Sequence, residues 1–232
     1  MAEFHKLIAN VRDALERRAV PTHNGAAESA KAVPTYKAAR RVELASQFAR
    51  ELEAVGGHYL GTVTPKEMVA RVRGVAAALN AQSVAVGTGL VIDPAPMMEA
   101  LKLAGITVFR TAAVDDDAGR AELRGKLARC DFAVVEADCA IAATGTLAMV
   151  ATPERPGSLT LVPPVNVILV SADLILPDLA AAISTIGSAT IASHRLALIT
   201  GPSRTADIEK RIVLGVHGPR DIYVAVVWRG DD

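Results

Sequence analysis

Short apolar runs alternate with helix-patterned ones from about residue 58 to residue 227, and this alternation restricts the chain to few architectures. Residues 58–63, 83–86, 106–109, 158–161, 167–170, 195–199 and 222–227 read as strands. Between them, Thr64 caps and Pro65 opens a helix to about 79. Further helices are expected at 97–104, from the acidic run Asp115-Asp116-Asp117, and over 173–186 with its regular part starting near Asp178. A last helix is expected after Thr205, to about 214. Strands that alternate with helices pair in parallel, with helices on both faces. Ligands of such sheets sit in the crevice beyond the carboxyl ends of the strands.

The most distinctive stretch is 137–149, which follows the apolar run Phe132-Ala133-Val134-Val135 and holds Thr144-Gly145-Thr146 at its centre. Either it is a tight turn in a buried hairpin, or its glycine lets the backbone approach a ligand. Gly87-Thr88-Gly89 and Gly201-Pro202-Ser203-Arg204-Thr205 also lie just after predicted strands. If the three segments share one sheet edge, they build one pocket. Ahead of a helix, 201–205 would offer backbone N–H groups to an anion, and Arg204 a bidentate contact; the alternative is a capped, solvent-exposed helix start. His217, between Gly215-Val216 and Gly218-Pro219, either acts as a general acid/base or bonds its own loop. Arg220 pairs with an anionic ligand, or with Asp221 or Asp207. Glu136, late in an apolar run, either faces the crevice or marks where its strand reaches water. Asp138 and Asp173 cap helices or reach the crevice. The ligand-binding candidates are therefore Gly87, Thr88, Gly89, Thr144, Gly145, Thr146, Gly201, Ser203, Arg204, Thr205, His217 and Arg220, and the acid/base candidates are His217 and Glu136.

Several function classes are disfavoured. Of 232 residues, 51% are hydrophobic but only four are Phe, three Tyr and one Trp, so aliphatic side chains make the core. Formal net charge is +0, with no basic block for nucleic acid or a membrane surface. The two cysteines, Cys130 and Cys139, form no CxxC and read as buried hydrophobes in a reducing cytosol. The five histidines are scattered, and neither HExxH nor a Cys/His cluster predicts a metal. The P-loop, GxGxxG and GxSxG patterns are absent. With no apolar signal core and no apolar run of about 18 residues, a soluble cytoplasmic protein is expected. Phe4, Ile8, Val11 and Leu15 place an amphipathic helix in 1–18, and a loose linker rich in Pro and Gly follows over 19–35. A second helix is expected over 36–55, with Leu44, Phe48, Leu52 and Val55 inward. The organisation is thus 1–35 as a helical extension and 36–232 as one α/β domain.

Three blocks resemble the lactate-utilisation protein C family (LutC/YkgG), whose core is the LUD domain. They are Ala137 through Thr146, Leu159 through Val167, and Ile199-Thr200-Gly201-Pro202-Ser203-Arg204-Thr205-Ala206-Asp207-Ile208-Glu209 continuing to Gly215-Val216-His217-Gly218-Pro219-Arg220. The resemblance implies a three-layer α/β/α sandwich with a mostly parallel sheet, like the sugar-phosphate isomerase and CoA-transferase superfamily (NagB/RpiA-like). It also implies a part in oxidising L-lactate to pyruvate beside partner subunits that carry iron–sulfur clusters, with no cofactor bound by this chain and homo-oligomers possible. Two positions depart from the family pattern: Ala143 stands where Glu is common and Asn166 where His is common. Both remove ionisable groups near the expected pocket. Fold analogy alone supports two rivals, an independent enzyme acting on a phosphorylated, folate or CoA-linked substrate, and a scaffolding protein without catalysis.

Overall fold

Strand β4 (Phe132–Glu136) is buried along its length except at its last residue, so apolar layers must cover both of its faces. Phe132 and Val134 point into one apolar cluster, Ala133 and Val135 into another, with the period of two that a strand imposes. The computed structural model describes residues 36–114, 116–193, 195–206, 212–215 and 218–229. The helix and linker expected in 1–35 lie outside the described residues, and so does His217.

β4 belongs to a six-stranded, all-parallel sheet with β1 (His58–Val63), β2 (Ser83–Val86), β3 (Thr107–Arg110), β7 (Val165–Ser171) and β12 (Asp221–Val227), in the order β1-β12-β7-β4-β2-β3. Helices α2 (Pro65–Ala78) and α3 (Ala95–Leu103) cover one face through Met68, Val72, Val75, Met97 and Leu101. On the other face lie α1 (Ala38–Ala54), through Leu44, Phe48 and Leu52, and α4 (Asp117–Leu127), through Leu123 and Leu127. The three layers are those expected.

Local chemistry explains the boundaries. Thr64 and Glu67 form a reciprocal capping box, with Thr64 N–H donating to Glu67 Oε2 at 2.8 Å. Asp116 caps α4 by accepting from Gly119 N–H at 2.6 Å, so the acidic run serves a helix start. Among the described residues no helix is long and apolar enough to cross a membrane.

A second sheet was not anticipated. The long excursions between β4 and β7, and between β7 and β12, contribute β5 (Cys139–Ile141), β6 (Thr146–Val150), β8 (Ile175–Leu176) and β9 (Leu196–Ile199), in the order β8-β5-β6-β9. Ala140, Leu147 and Met149 pack toward the main sheet, while Cys139, Ile141, Ala148 and Val150 meet α6 (Leu179–Ser193).

Three sequence expectations fail here, in whole or in part. Residues 158–161 form the short helix α5 (Ser158–Leu161), not a strand, with Thr160 Oγ1 bonding back to Gly157 O at 3.0 Å; an apolar run of four is too short for its period to decide. Of the helix expected over 173–186, the regular part starts at Leu179, next to the Asp178 foreseen for it, but the residues before it form a 3₁₀ turn (Ala172–Leu174) and β8 rather than an irregular helical turn. Where the helix expected after Thr205 should end, Ile212–Leu214 form β11, antiparallel to β10 (Arg204–Ala206), while residues 207–211 of that expected helix lie outside the described residues. Ile212-Val213-Leu214 suits a strand, with two β-branched residues of three. Arg204 and Thr205 therefore lie on a strand and open no helix at that point, so no helix N-terminus there supplies N–H groups to an anion.

Candidate functional site

The site is built from the end of β4. Glu136 is that strand's last residue, at the carboxyl edge of the parallel sheet, where the chain leaves for the second sheet. Beside it, Gly87 directly follows β2 and donates its N–H to Val134 O at 2.9 Å. A β-carbon on Gly87 would lie 3.1 Å from Leu159 Cδ2 and 3.3 Å from Val134 O, so glycine permits this close approach.

The polypeptide between β6 and α5 roofs the space above. Thr88 Oγ1 donates to Glu154 O at 2.9 Å. Thr152 and Arg155 exchange backbone bonds, at 3.2 and 3.1 Å. Arg155 Nη2 then donates to Asp138 Oδ1 at 2.7 Å, while Asp138 Oδ2 accepts from Val150 N–H at 2.6 Å. The cavity beneath has a volume of about 80 Å³, room for a handful of water-sized groups. Gly87, Thr88, Glu136, Arg155, Leu159 and Arg195 contribute to its lining, and most of its wall is apolar.

The electrostatics centre on Glu136. Burial lifts its carboxyl to about 7 from the usual 4.5; Val91 N–H, donating to it, and Arg155 oppose the rise, nearby Asp138 adds to it, and Arg229 opposes it. Glu136 Oε2 is shut off from solvent and has no hydrogen-bond partner. A neutral acid flanked by guanidinium groups can donate to an anion as well as release a proton. Among the described residues no group of three or more His, Cys, Asp or Glu gathers to hold a metal.

The expected convergence of three segments is only partly realised. Gly87, Thr88 and Glu136 line the cavity, and Gly89 (φ +69°) sits in the loop beyond β2 with Arg155 Cδ 3.9 Å from a would-be β-carbon. Thr144-Gly145-Thr146 is the turn of the β5–β6 hairpin. Thr146 Oγ1 joins Thr144 Oγ1 and Thr200 Oγ1, each at 2.7 Å, so this turn does meet the start of the 201–205 segment. That meeting occurs at one end of the β6–β9 pair, while Val150 and Arg195 at the other end line the cavity. Four residues of strand, about 13 Å at about 3.3 Å each, separate the two places.

Packing accounts for the glycines at the far end. A β-carbon on Gly145 (φ +62°) would collide with the α1 backbone at Glu51 and Leu52, and one on Gly201 (φ +81°) would lie 2.7 Å from Val55 O. Arg204 lays its guanidinium against Gly56, just past the end of α1, where a cation suits the helix dipole. Ser203 bonds Pro219 O through its N–H and Gly215 N–H through its carbonyl. Arg220 pairs with Asp221 at 3.5 Å, the surface alternative foreseen for it. Thr205 lies on β10 opposite Val213.

Arg155 and Arg195 escaped notice as site residues in sequence. Arg155 stands in Pro153-Glu154-Arg155-Pro156-Gly157, a breaker-rich segment ahead of a misread strand, and that composition was the available signal. Asn166, where the family commonly has His, is fully buried and donates from Nδ2 to Thr160 O at 2.7 Å. Its Oδ1 has no partner. Ala143 is exposed, and its N–H bonds Pro177 O at 3.1 Å.

Comparison with known proteins agrees with this architecture. The family model described as the LUD domain matches residues 45–227. The chain is 37% identical over 94 residues to the uncharacterized protein NMB1437 of Neisseria meningitidis, covering 39% of this chain and 40% of that protein. It is 27% identical over 136 residues to lactate utilization protein C of Bacillus pumilus, covering 56% and 55%. The chain thus spans about half the length of these curated relatives. A crystal structure of a DUF162-family protein from Deinococcus radiodurans superposes with a TM-score of 0.58 at 24% identity, over 81% of this chain and 98% of that one, a likeness of fold.

Proposed function

From the premise that this chain belongs to the LUD-domain family, we propose that it serves in lactate utilisation as the subunit without an iron–sulfur cluster, binding a small carboxylate in the cavity at the ends of β2 and β4. The role is supported by kinship with a protein named lactate utilization protein C. The ligand is supported by one observation: Arg155, Arg195 and the raised carboxyl of Glu136 border a largely apolar cavity at the carboxyl edge of a parallel sheet. Arginine matches carboxylate geometry in a bidentate manner. The chain has two cysteines, and both described thiols are buried. A cluster commonly takes four cysteine ligands, so clusters belong to partner subunits in this reading.

Deletion of the gene in its native host tests the role. The expected outcome is loss of growth on L-lactate with normal growth on glucose, restored by the wild-type gene and not by a version carrying Arg155→Ala with Arg195→Ala. A tagged copy should bring down iron–sulfur proteins from lactate-grown cells. Normal growth of the deletion strain on L-lactate, with no second copy present, would overturn the proposal.

A further inference from the structure

Glu136 meets the cavity with a carboxyl group that its surroundings leave half satisfied. Val91 N–H donates to it, while Oε2 is closed off from solvent and unpartnered. Arg155, a cation whose field reaches Glu136, is engaged through Nη2, which sits 2.7 Å from Asp138 Oδ1. Arg229 lies beyond Val91 and donates to Val91 O. Arg195 stands at the wall. Among the described residues, Arg155, Asp138 and Arg229 are the charged groups whose fields reach Glu136.

A carboxylate ligand entering about 80 Å³ beside an ionised Glu136 would meet a like charge across an apolar wall. Two carboxylates sharing so small a site resist ionising together. A protonated Glu136 removes the repulsion. We infer that the cavity couples binding to protonation: a monocarboxylate enters together with one solvent proton, which resides on Glu136, and leaves when that proton is lost. No covalent bond changes, and the proton exchanges with water. Burial already brings the unliganded group near neutrality, so the coupling falls in the physiological range. The inference rests on the reading that this cavity holds a small anion.

Isothermal titration of the full chain with L-lactate, and separately with acetate, between about pH 5.5 and about pH 8.5 tests it. Kd for the wild type should be level below about pH 7 and rise about tenfold per pH unit well above it. The heat at neutral pH should depend on buffer ionisation enthalpy, reporting proton uptake. Glu136→Gln should bind with a Kd independent of pH. Wild-type binding that is flat across the range, with heats independent of buffer, overturns the coupling and leaves the cavity reading intact. No binding of either probe at any pH overturns the cavity reading and the coupling with it. The wild-type profile is decisive by itself should the variant fail to fold.

Discussion

Arg155 Nη2 lies 2.7 Å from Asp138 Oδ1, seventeen positions away in the chain, and each side chain is 22% exposed. This contact joins the roof of the cavity to the chain that leaves its floor. Asp138 holds the roof a second time through Val150 N–H.

Replacing Asp138 by Ala removes both bonds and strands a half-buried guanidinium. Hydrogen bonds to charged groups contribute about 1.5–3 kcal/mol, so Asp138→Ala should lower unfolding stability by about 2–4 kcal/mol in urea denaturation. A loss below about 0.5 kcal/mol would mean that the pair is no better than a surface contact.

Gly145→Ala should cost about 3 kcal/mol or more, read as a drop in the unfolding midpoint. The backbone there is left-handed, at φ +62°, and the added methyl group would run into the main chain at Glu51 and Leu52. An unchanged melt would show that the hairpin turn does not seat against α1 as described.

Glu136 should give the fold a distinctive pH response. Its carboxyl sits at about 7 when folded against about 4.5 when unfolded, so the native state holds the extra proton between those values. Stability should then fall as pH rises from about 4.5 to about 7 and level off above. Allowing for screening of a partly exposed group, the loss is on the order of 1–2 kcal/mol. Subtracting the Glu136→Gln stability curve from that of the wild type should isolate this slope; parallel curves would contradict the burial of the acid.

Thr146→Val keeps shape but breaks the hydroxyl chain from Thr144 to Thr200. Stability should fall by about 1 kcal/mol, while binding of a small carboxylate, about 13 Å away along β6, should stay unchanged. A binding loss of tenfold or more would move the site from the β4 edge to the Thr144–Thr200 corner.

Much of this architecture was legible in residue patterns. The uninterrupted apolar run Phe132-Ala133-Val134-Val135, now buried on both faces, and the cap at Thr64 depend on neighbours close in sequence, and both stand where expected. So does the position of Glu136, a lone acid ending an apolar run. The short helix at Ser158–Leu161 and the β10–β11 pair were not legible, because runs of three or four residues fit either period until tertiary contacts select one.

Sequence alone determined a parallel sheet with apolar layers on both faces, because hydrophobic spacing dictates which side chains must leave water. Only tertiary structure decided that the glycine-and-hydroxyl segments divide between two places. The β6–β9 pairing carries Thr146 and Thr200 to one end and Val150 and Arg195 to the other. Strand direction and register, which no local pattern encodes, therefore assign the cavity to Gly87, Glu136 and Arg155, and leave Gly145 and Gly201 to pack against α1 and Val55.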